Sequence, residues 1–355
     1  MTWNGCRGNG ENLERDGGDT RGMVRRRLFK SAVLLAIVIG MVGSAHAVPS
    51  RGRHARKAVR APSQAHMPLR EFLELPRPGM PLVPLGVSAA SAILLNTETG
   101  AVLYAHNPDD PRPPASTTKI LTALVILERG QLSDMVTVSR AAAQVGGHQL
   151  GLRAGQRISL GDLLAAILIQ SANDAAVAAA EHVGGDLPGF VALMNASARE
   201  LGLSESRFAN PHGLDEPGHY TSARDLARLA QAALEHPMFA RLVRMSEARL
   251  TVWQPGRTGQ LQPRVRIVRS HNKLLGRLDG ADGVKTGYTG GAGRCLVASA
   301  SRDGQRLIAV LLNDPHRWSD AAVLLEYGFG FTGGAAQGRT PGEPWRAAQA
   351  NGSRS

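Results

Sequence analysis

The sequence predicts an α+β domain in which one sheet joins strands from both ends of the domain and encloses an inserted helical lobe. Three observations predict this fold class: two short apolar runs within 91–105, several helical patterns in the middle, and three strand-like runs between 283 and 312. Because strands lie at both ends and helices between them, the terminal strands are expected to share one sheet.

The first elements are a hairpin and a helix. The apolar runs 91–95 and 101–105 lie on either side of the turn-forming residues 96–100, which is typical of a β-hairpin. Pro113 and Pro114 then precede a run of good helix formers that closes on Gly130. Proline is tolerated only at a helix start, so this pattern predicts a helix with Ser116 in its first turn.

The remaining elements follow in order. Residues 135–159 contain polar turns and weak strands, and a capping-box-like start at Ser222, with Asp225 in the place of the usual Glu or Gln, introduces a later helix. Helices are predicted over 160–170, 174–183, 188–201, 222–235 and 319–327, and strands over 283–286, 295–300 and 306–312.

The first 47 residues are interpreted as targeting sequence. Segment 23–47 has a basic start, an apolar run over 31–42, and a small-residue cleavage site ending at Ala47, which together predict a signal peptide. The apolar run is shorter than the ~20 residues that span a bilayer. Residues 1–22 precede a natural start at Met23 and are interpreted as a misannotated extension. Twin-arginine and general export both stay open.

Net charge separates the flanks from the core. The chain carries a formal charge of +12, but residues 81–332 hold 24 basic and 22 acidic residues. Segment 48–82 is therefore interpreted as a basic flexible leader, 83–332 as the folded domain, and 333–355 as a disordered tail. Since the domain is nearly neutral and has no basic patch with interleaved aromatic residues, nucleic-acid binding is excluded.

Cysteine and histidine usage predicts neither a disulfide nor a metal site. Cys6 precedes the signal peptide, so Cys295 is the single cysteine expected in the mature chain. Cys295 lies in an apolar run and is expected to be a buried small residue. The eleven histidines show no metal-ligand spacing, and we predict no metal and no cofactor.

Ser116 and Lys119 form a candidate nucleophile and base. Residues three apart share one face of a helix, so the hydroxyl and the amine can approach hydrogen-bond distance. The positive end of the helix dipole favours an alkoxide at Ser116 and disfavours the ammonium form of Lys119. An isolated Ser-x-x-Lys is more often an ordinary helix start with a solvated lysine. Further motifs are therefore needed to decide whether Ser116 and Lys119 form a catalytic pair.

Two further polar motifs follow in the chain. Ser171-Ala172-Asn173 interrupts two apolar helical patterns, where the alternative is a simple helix cap, and Lys285-Thr286-Gly287 is expected to end a strand. With the first motif they match the Ser-x-x-Lys, Ser-Asp-Asn and Lys-Thr-Gly set of penicillin-binding proteins and class A β-lactamases, with Ala172 in place of the middle Asp.

The chain most resembles the low-molecular-mass D-alanyl-D-alanine carboxypeptidases, over roughly residues 87 to 331. The segments 210–214 (Asn-Pro-His-Gly-Leu) and 283–289 also read like theirs. The resemblance implies a β-lactamase/transpeptidase-like fold, with an antiparallel sheet flanked by helices and the site between sheet and lobe. Segment 83–332 is accordingly expected to be a catalytic penicillin-binding domain.

The resemblance also implies roles for the motif residues. Ser116 would form the acyl-enzyme, Lys119 would be its base, and Ser171 with Asn173 would complete the catalytic set. The backbone N–H groups of Ser116 and of a residue near Tyr288 would form the oxyanion hole. The residues expected to bind substrate are Lys285, Thr286, Gly287 and Arg317.

The expected substrates are peptidoglycan stem peptides that end in D-Ala-D-Ala, and β-lactams are expected as covalent inhibitors. Arg317 is a candidate to bind the free carboxylate, the alternative being a solvated arginine at a helix end. Many carboxypeptidases of this group carry a β-rich domain and a membrane helix after the catalytic domain. Only 24 residues follow Phe331 here, so we expect an exported periplasmic or envelope enzyme without a stable membrane anchor.

Other functions compete with this interpretation. A D-alanyl-D-alanine endopeptidase that cuts cross-links would have the same motifs and stays open. A class A β-lactamase would need a Glu-x-x-Leu-Asn pattern, which Glu200 to Ser204 does not provide. A non-catalytic envelope-binding protein would be expected to have lost at least one of Ser116, Lys119 and Lys285, and all three are present. An α/β esterase would need a Gly-x-Ser-x-Gly elbow, which we do not find.

Overall fold

The computed structural model describes residues 86–335. The regular structure of this part of the chain consists of a five-stranded sheet, a four-stranded sheet and a set of helices. The strands, in chain order, are β1 (Ser91–Asn96), β2 (Val102–His106), β3 (Met135–Thr137), β4 (Arg157–Ser159), β5 (Glu247–Pro255), β6 (Leu261–Arg269), β7 (Ala281–Thr289), β8 (Gly293–Arg302) and β9 (Gln305–Leu312).

The helices lie mainly between β2 and β5. A 3₁₀ turn over Ala115–Thr118 leads directly into the first α-helix, and a π-helical turn over Ala166–Gln170 follows the third. The α-helices, in chain order, are α1 (Lys119–Arg129), α2 (Arg140–Gln144), α3 (Leu160–Ala165), α4 (Asn173–Gly184), α5 (Leu187–Glu200), α6 (Ala223–Glu235), α7 (Pro237–Val243) and α8 (Arg317–Ala335).

The main sheet is antiparallel and has the order β2-β1-β9-β8-β7. Its centre is the pairing of β1 with β9, in which Ile93 lies opposite Val310. The first hairpin therefore joins the last strands of the domain, which confirms the arrangement predicted from the sequence. The edge strand β7 carries the Lys-Thr-Gly motif.

Both faces of this sheet are covered, because alternate residues of each strand point to opposite sides. Ile93 and Val310 belong to a large apolar cluster with the helices of the lobe, including α1, α4 and α6. Leu94 and Leu311 belong to a second cluster with α8. The sheet is thus flanked by helices, with the inserted lobe on one side.

The lobe also contains a second sheet, of which the sequence predicted only the weak strands within 135–159 that become β3 and β4. Its order is β3-β4-β5-β6, and the hairpin β5–β6 is its longest part. Helix α7 was missed as well. The hairpin was missed although apolar residues and arginines alternate over 265–267, because Pro263 interrupts the run and proline within such a run argues against a strand.

Two predicted boundaries were wrong in ways that affect the site. Lys285 to Gly287 lie in the middle of β7 rather than at the end of a strand, because buried polar side chains interrupt the apolar pattern there. Helix α8 begins at Arg317, two residues before the predicted start. It also runs to Ala335, three residues into the segment predicted as a tail.

The predictions for segments 1–22, 23–47 and 48–82 fall outside the described residues, as does the tail prediction beyond residue 335. Within residues 86–335, no helix combines the length and the apolar character needed to cross a membrane.

Candidate active site

Ser116 and Lys119 meet at the junction between the 3₁₀ turn and α1. The Lys119 Nζ lies 3.0 Å from the Ser116 Oγ, so the approach expected from the three-residue spacing is present. Lys119 is fully buried, whereas Ser116 is partly exposed. The serine hydroxyl is therefore accessible from solvent, and the amine contacts it from inside the protein.

The Lys119 amine has two further contacts, both with acceptors. Nζ donates to the Asn173 Oδ1 at 2.7 Å and to the backbone carbonyl oxygen of His212 at 2.5 Å. A neutral amine has two N–H donors and one lone pair. Since the two acceptors take both donors, the lone pair is directed at the Ser116 hydroxyl, which is the arrangement that a general base requires.

The surroundings of Lys119 favour this neutral form. Burial of the amine, followed by the nearby charge of Lys285, holds the pKa of Lys119 well below its usual value. Burial also lowers the pKa of Lys285 to about 7, with a further contribution from the charge of Arg317. Lys285 therefore repels a proton on Lys119 most strongly at pH values below about 7.

Asn173 is oriented by the break between α3 and α4. Ser171 has a positive φ of 67°, and this left-handed residue ends the π-helical turn. Helix α4 begins two residues later, at Asn173. The Asn173 Nδ2 donates to the Gly146 carbonyl oxygen at 2.7 Å, which leaves Oδ1 facing Lys119. Ser171 is buried at this turn and, within the described residues, makes no hydrogen bond to Ser116 or Lys119.

Asp174, which the sequence analysis did not single out, supports the same region. Its carboxylate accepts hydrogen bonds from three consecutive backbone N–H groups of the segment that precedes β4, those of Leu150, Gly151 and Leu152. The carboxylate is almost fully buried, and it joins the start of α4 to this segment. An acidic residue directly after the Ser-x-Asn motif, in the first turn of a helix, was the available signal.

The segment 210–214 supplies the third contact to Lys119. The Asn210 Oδ1 accepts from the His212 and Gly213 N–H groups, and the Thr122 Oγ1 donates to the Pro211 carbonyl oxygen at 2.7 Å. Gly213 has φ +87°, and a Cβ there would lie 1.9 Å from the Ala115 carbonyl oxygen. Glycine is thus required for this loop to pack against the turn that carries Ser116.

His219 connects the same loop to that turn without adding charge. Its Nδ1 accepts from the Ala209 N–H at 2.9 Å, so Nε2 carries the hydrogen and donates to the Thr118 Oγ1 at 2.8 Å. Burial lowers the pKa of His219 to about 4 and that of His212 to about 3. Both imidazoles are consequently neutral at physiological pH, which avoids another cation beside Lys119.

The Lys-Thr-Gly motif forms the opposite side of the site. Lys285 and Thr286 are buried in β7, and a Cβ on Gly287 would lie 3.0 Å from the Ala115 Cβ and 3.1 Å from the Ser116 nitrogen. The glycine therefore lets β7 approach the 3₁₀ turn. Gly287 was predicted to bind substrate, whereas part of the space beside its Cα is taken by the protein itself.

Arg317 is tied to the back of this strand rather than solvated. Its Nη1 donates to the Gly287 carbonyl oxygen at 2.6 Å and to the Cys295 carbonyl oxygen at 3.1 Å, and its guanidinium lies over the ring of Trp318. The structure thus brings a fixed cation to the Lys-Thr-Gly segment. The alternative of a solvated helix-end arginine does not hold.

No described residues form a group of three or more histidine, cysteine, aspartate or glutamate side chains suited to hold a metal ion. Cys295 is buried in β8, and burial raises the pKa of its thiol to about 11. A thiol with so high a pKa has little thiolate at neutral pH and is chemically inert.

Comparison with known proteins decides the family. The sequence profile of D-alanyl-D-alanine carboxypeptidases, peptidase family S11, matches residues 80–316. This chain belongs to the D-alanyl-D-alanine carboxypeptidase family. The match includes the Ser-x-x-Lys, Ser-x-Asn and Lys-Thr-Gly segments, and it confirms the family resemblance read from those motifs.

Similar proteins of this family come from diverse bacteria. The chain is 38% identical over 253 residues to the D-alanyl-D-alanine carboxypeptidase DacF of Bacillus subtilis, covering 69% of this chain and 63% of the relative. It is 33% identical over 259 residues to DacB2 of Mycobacterium tuberculosis, covering 70% of this chain and 85% of that one. The matched part thus spans less than two thirds of DacF.

Solved structures confirm the fold. The Streptomyces K15 DD-transpeptidase superposes with a TM-score of 0.66 at 30% identity, and the match covers 70% of this chain and 100% of that enzyme. The β-lactamase/transpeptidase-like architecture expected for the D-alanyl-D-alanine carboxypeptidase family is therefore the one observed, with an antiparallel sheet flanked by helices.

Proposed function

We propose that this protein is a serine-type D-alanyl-D-alanine carboxypeptidase that removes the terminal D-Ala from peptidoglycan stem peptides. The observation that carries the proposal is the contact between the buried Lys119 Nζ and the partly exposed Ser116 Oγ, at 3.0 Å. Membership of the D-alanyl-D-alanine carboxypeptidase family supports the substrate class. No metal or organic cofactor takes part in the proposed reaction.

In the first half of the reaction, Ser116 Oγ attacks the carbonyl carbon between the two D-alanines while Lys119 Nζ takes the hydroxyl proton. The backbone N–H groups of Ser116 and of a residue near Tyr288 stabilise the oxyanion. The C–N bond then breaks, and the leaving amine takes the proton that Lys119 had accepted. Ser171 is the proposed relay, and its hydroxyl must turn toward Lys119 to act. The products are free D-Ala and an ester on Ser116.

In the second half, water attacks the ester carbonyl and Lys119 accepts the proton of that water. The resulting tetrahedral intermediate releases the Ser116 Oγ, which recovers its proton, and the shortened stem peptide leaves. Asn173 keeps the Lys119 amine in place in both halves through its Oδ1. This route requires no glutamate of the kind that a class A β-lactamase uses.

The free carboxylate of the substrate is held, in this proposal, by the Lys-Thr-Gly side of the site. Thr286 provides a hydroxyl, and Lys285 and Arg317 provide positive charge. The Arg317 guanidinium is positioned by the carbonyl oxygens of Gly287 and Cys295, which use one of its terminal nitrogens. The second terminal nitrogen is left for an anion.

The proposed nucleophile is tested by covalent labelling with a fluorescent penicillin. Ser116→Ala should abolish the label, because a β-lactam presents a strained amide to the same hydroxyl. Lys119→Ala should slow labelling by at least ~10²-fold, the typical effect of losing a general base. Labelling rates are measured on gels over time, with Ser133→Ala, a change in a turn before β3, as the matched control.

Hydrolysis is tested with the same variants. A stem pentapeptide should release D-Ala with the wild-type protein and with Ser133→Ala, but not with Ser116→Ala. If only cross-linked muropeptides were cleaved, the activity would be that of an endopeptidase. Undiminished labelling in Ser116→Ala would show that the nucleophile has been misassigned.

Carboxylate recognition is tested by Arg317→Ala. The variant should lower kcat/KM for a peptide with a free C-terminal carboxylate by ~10- to 150-fold, the value of one charge-assisted contact of about 1.5–3 kcal/mol. A C-terminally amidated analogue should be much less sensitive. Equal losses on both peptides would mean that Arg317 acts through the packing of β7 instead.

Export is also proposed, on the pattern of residues 23–47. The mature chain should begin at Val48, since Ala45 and Ala47 occupy the positions that signal peptidase reads. N-terminal sequencing of the protein from the envelope fraction measures this directly. A recovered chain that still contains residues 31–42 would instead indicate a membrane-anchored enzyme.

A further inference from the structure

Strand β6 forms an exposed edge outside the active site. It is the last strand in the order β3-β4-β5-β6, and within the described residues no strand pairs with its outer side. We call this region the β6 surface. It consists of the side chains of Arg249, Trp253, Leu261, Pro263, Arg264, Val265, Arg266 and Ile267.

Large apolar side chains are concentrated on the β6 surface. Only six large apolar residues in the described part of the chain are strongly exposed, and three of them belong to this strand: Leu261, Val265 and Ile267, at 39%, 57% and 49% exposure. Odd-numbered residues of a strand share one face, so these side chains lie together. Trp253 pairs directly with Pro263 and adds a partly exposed aromatic ring to the same face.

Positive charge accompanies this apolar face. The hairpin over 247–269 contains five arginines and a single acidic residue, Glu247. Glu247 pairs with Arg269 at 3.4 Å. Arg249 is exposed and lies on the apolar face, because it pairs directly with Ile267, and no described carboxylate lies within ion-pair distance of it. Arg264 and Arg266 are also exposed and without such a carboxylate, but they lie on the opposite face of β6. The β6 surface therefore carries one unneutralised cation, Arg249, on its apolar face and two more, Arg264 and Arg266, on the other face of the same edge strand.

We propose that the β6 surface docks onto the surface of an anionic phospholipid bilayer. The exposed valine, isoleucine and tryptophan side chains enter the boundary between headgroups and acyl chains, and the arginines bind the lipid phosphates. A soluble polyanion would need the arginines but not the apolar face. The predicted leader 48–82 is not the expected partner of the β6 surface, because a strongly basic segment would be repelled by the arginines there.

A short series of contacts connects the end of β6 to the proposed active site. Two residues after β6, the ring of His271 contacts the ring of His148, with centroids 4.8 Å apart. The His148 carbonyl oxygen accepts a hydrogen bond from the backbone N–H of Asn173 at 2.7 Å. Asn173 is the residue whose side-chain oxygen accepts from the Lys119 amine. Docking through β6 would therefore hold the catalytic cleft close to the bilayer. The docking itself does not rest on the proposed hydrolysis.

The test is co-sedimentation of the full chain with vesicles made of phosphatidylglycerol and phosphatidylcholine, and with vesicles of phosphatidylcholine alone. Wild type should bind the anionic vesicles, and binding should fall as salt is added. Arg249→Gln should lower the partition coefficient roughly fivefold, since each arginine near an anionic surface contributes about a factor of five. Val265→Ser with Ile267→Ser should lower it at least about tenfold.

Matched controls separate docking from charge and from misfolding. Arg129→Gln with Arg199→Gln removes two exposed arginines from helix ends elsewhere, and Val102→Ser removes an exposed valine from β2; both should bind like wild type. All variants should keep wild-type penicillin labelling at Ser116, which shows that they are folded.

Three results would overturn the proposal. The first is binding that is unchanged in the β6 variants, and the second is an equal loss in the control arginine pair. The third is the absence of vesicle binding by the wild type. Binding of soluble polyglutamate, or dimerisation that the β6 variants abolish, would then identify a different occupant.

Discussion

The Lys119 amine is buried and hydrogen-bonded, and this constraint shapes the rest of the site. Removing a cation from water without a partnering carboxylate is costly, so burial favours the neutral amine. The Asn173 oxygen and the His212 carbonyl oxygen take its two N–H groups. The remaining lone pair faces the Ser116 hydroxyl. A lysine that would be an inert cation at the surface becomes a base beside a nucleophile.

Much of the surrounding structure serves to hold those two acceptors. The π-helical turn and the left-handed Ser171 place Asn173, and Asp174 joins the start of its helix to residues 150–152. Asn210 shapes the loop that presents the His212 carbonyl oxygen, and Gly213 lets that loop contact the 3₁₀ turn. The neutral His219 connects both segments without adding positive charge. Each of these features is a hydrogen bond or a close contact with an identifiable physical cause.

Sequence reasoning reached the parts of the site that depend on side-chain type and spacing. The Ser116–Lys119 contact followed from helical geometry, and the order of strands and helices was sufficient to predict the main sheet. The His212 carbonyl oxygen could not be predicted, because a backbone acceptor has no signature in the sequence. The β5–β6 hairpin was missed because Pro263 interrupts the alternation of apolar residues and arginines in β6, and proline within such a run argues against a strand. The placement of Arg317 also needed the fold, since its partners are carbonyl oxygens of β7 and β8.

The most direct test of this account is the pH dependence of Ser116 acylation by penicillin, followed by intact-protein mass spectrometry. Because the pKa of Lys119 is held well below that of an ordinary lysine, the rate should rise with pH and reach its plateau well below the pH at which an ordinary lysine titrates. Replacing Lys285 with glutamine removes a neighbouring cation, so it should raise the pKa of Lys119 and move the rise to higher pH. A rate that continues to climb to about pH 10 in the wild type, where an ordinary lysine titrates, would contradict the account. A rise that moves to lower pH in Lys285→Gln would contradict it as well.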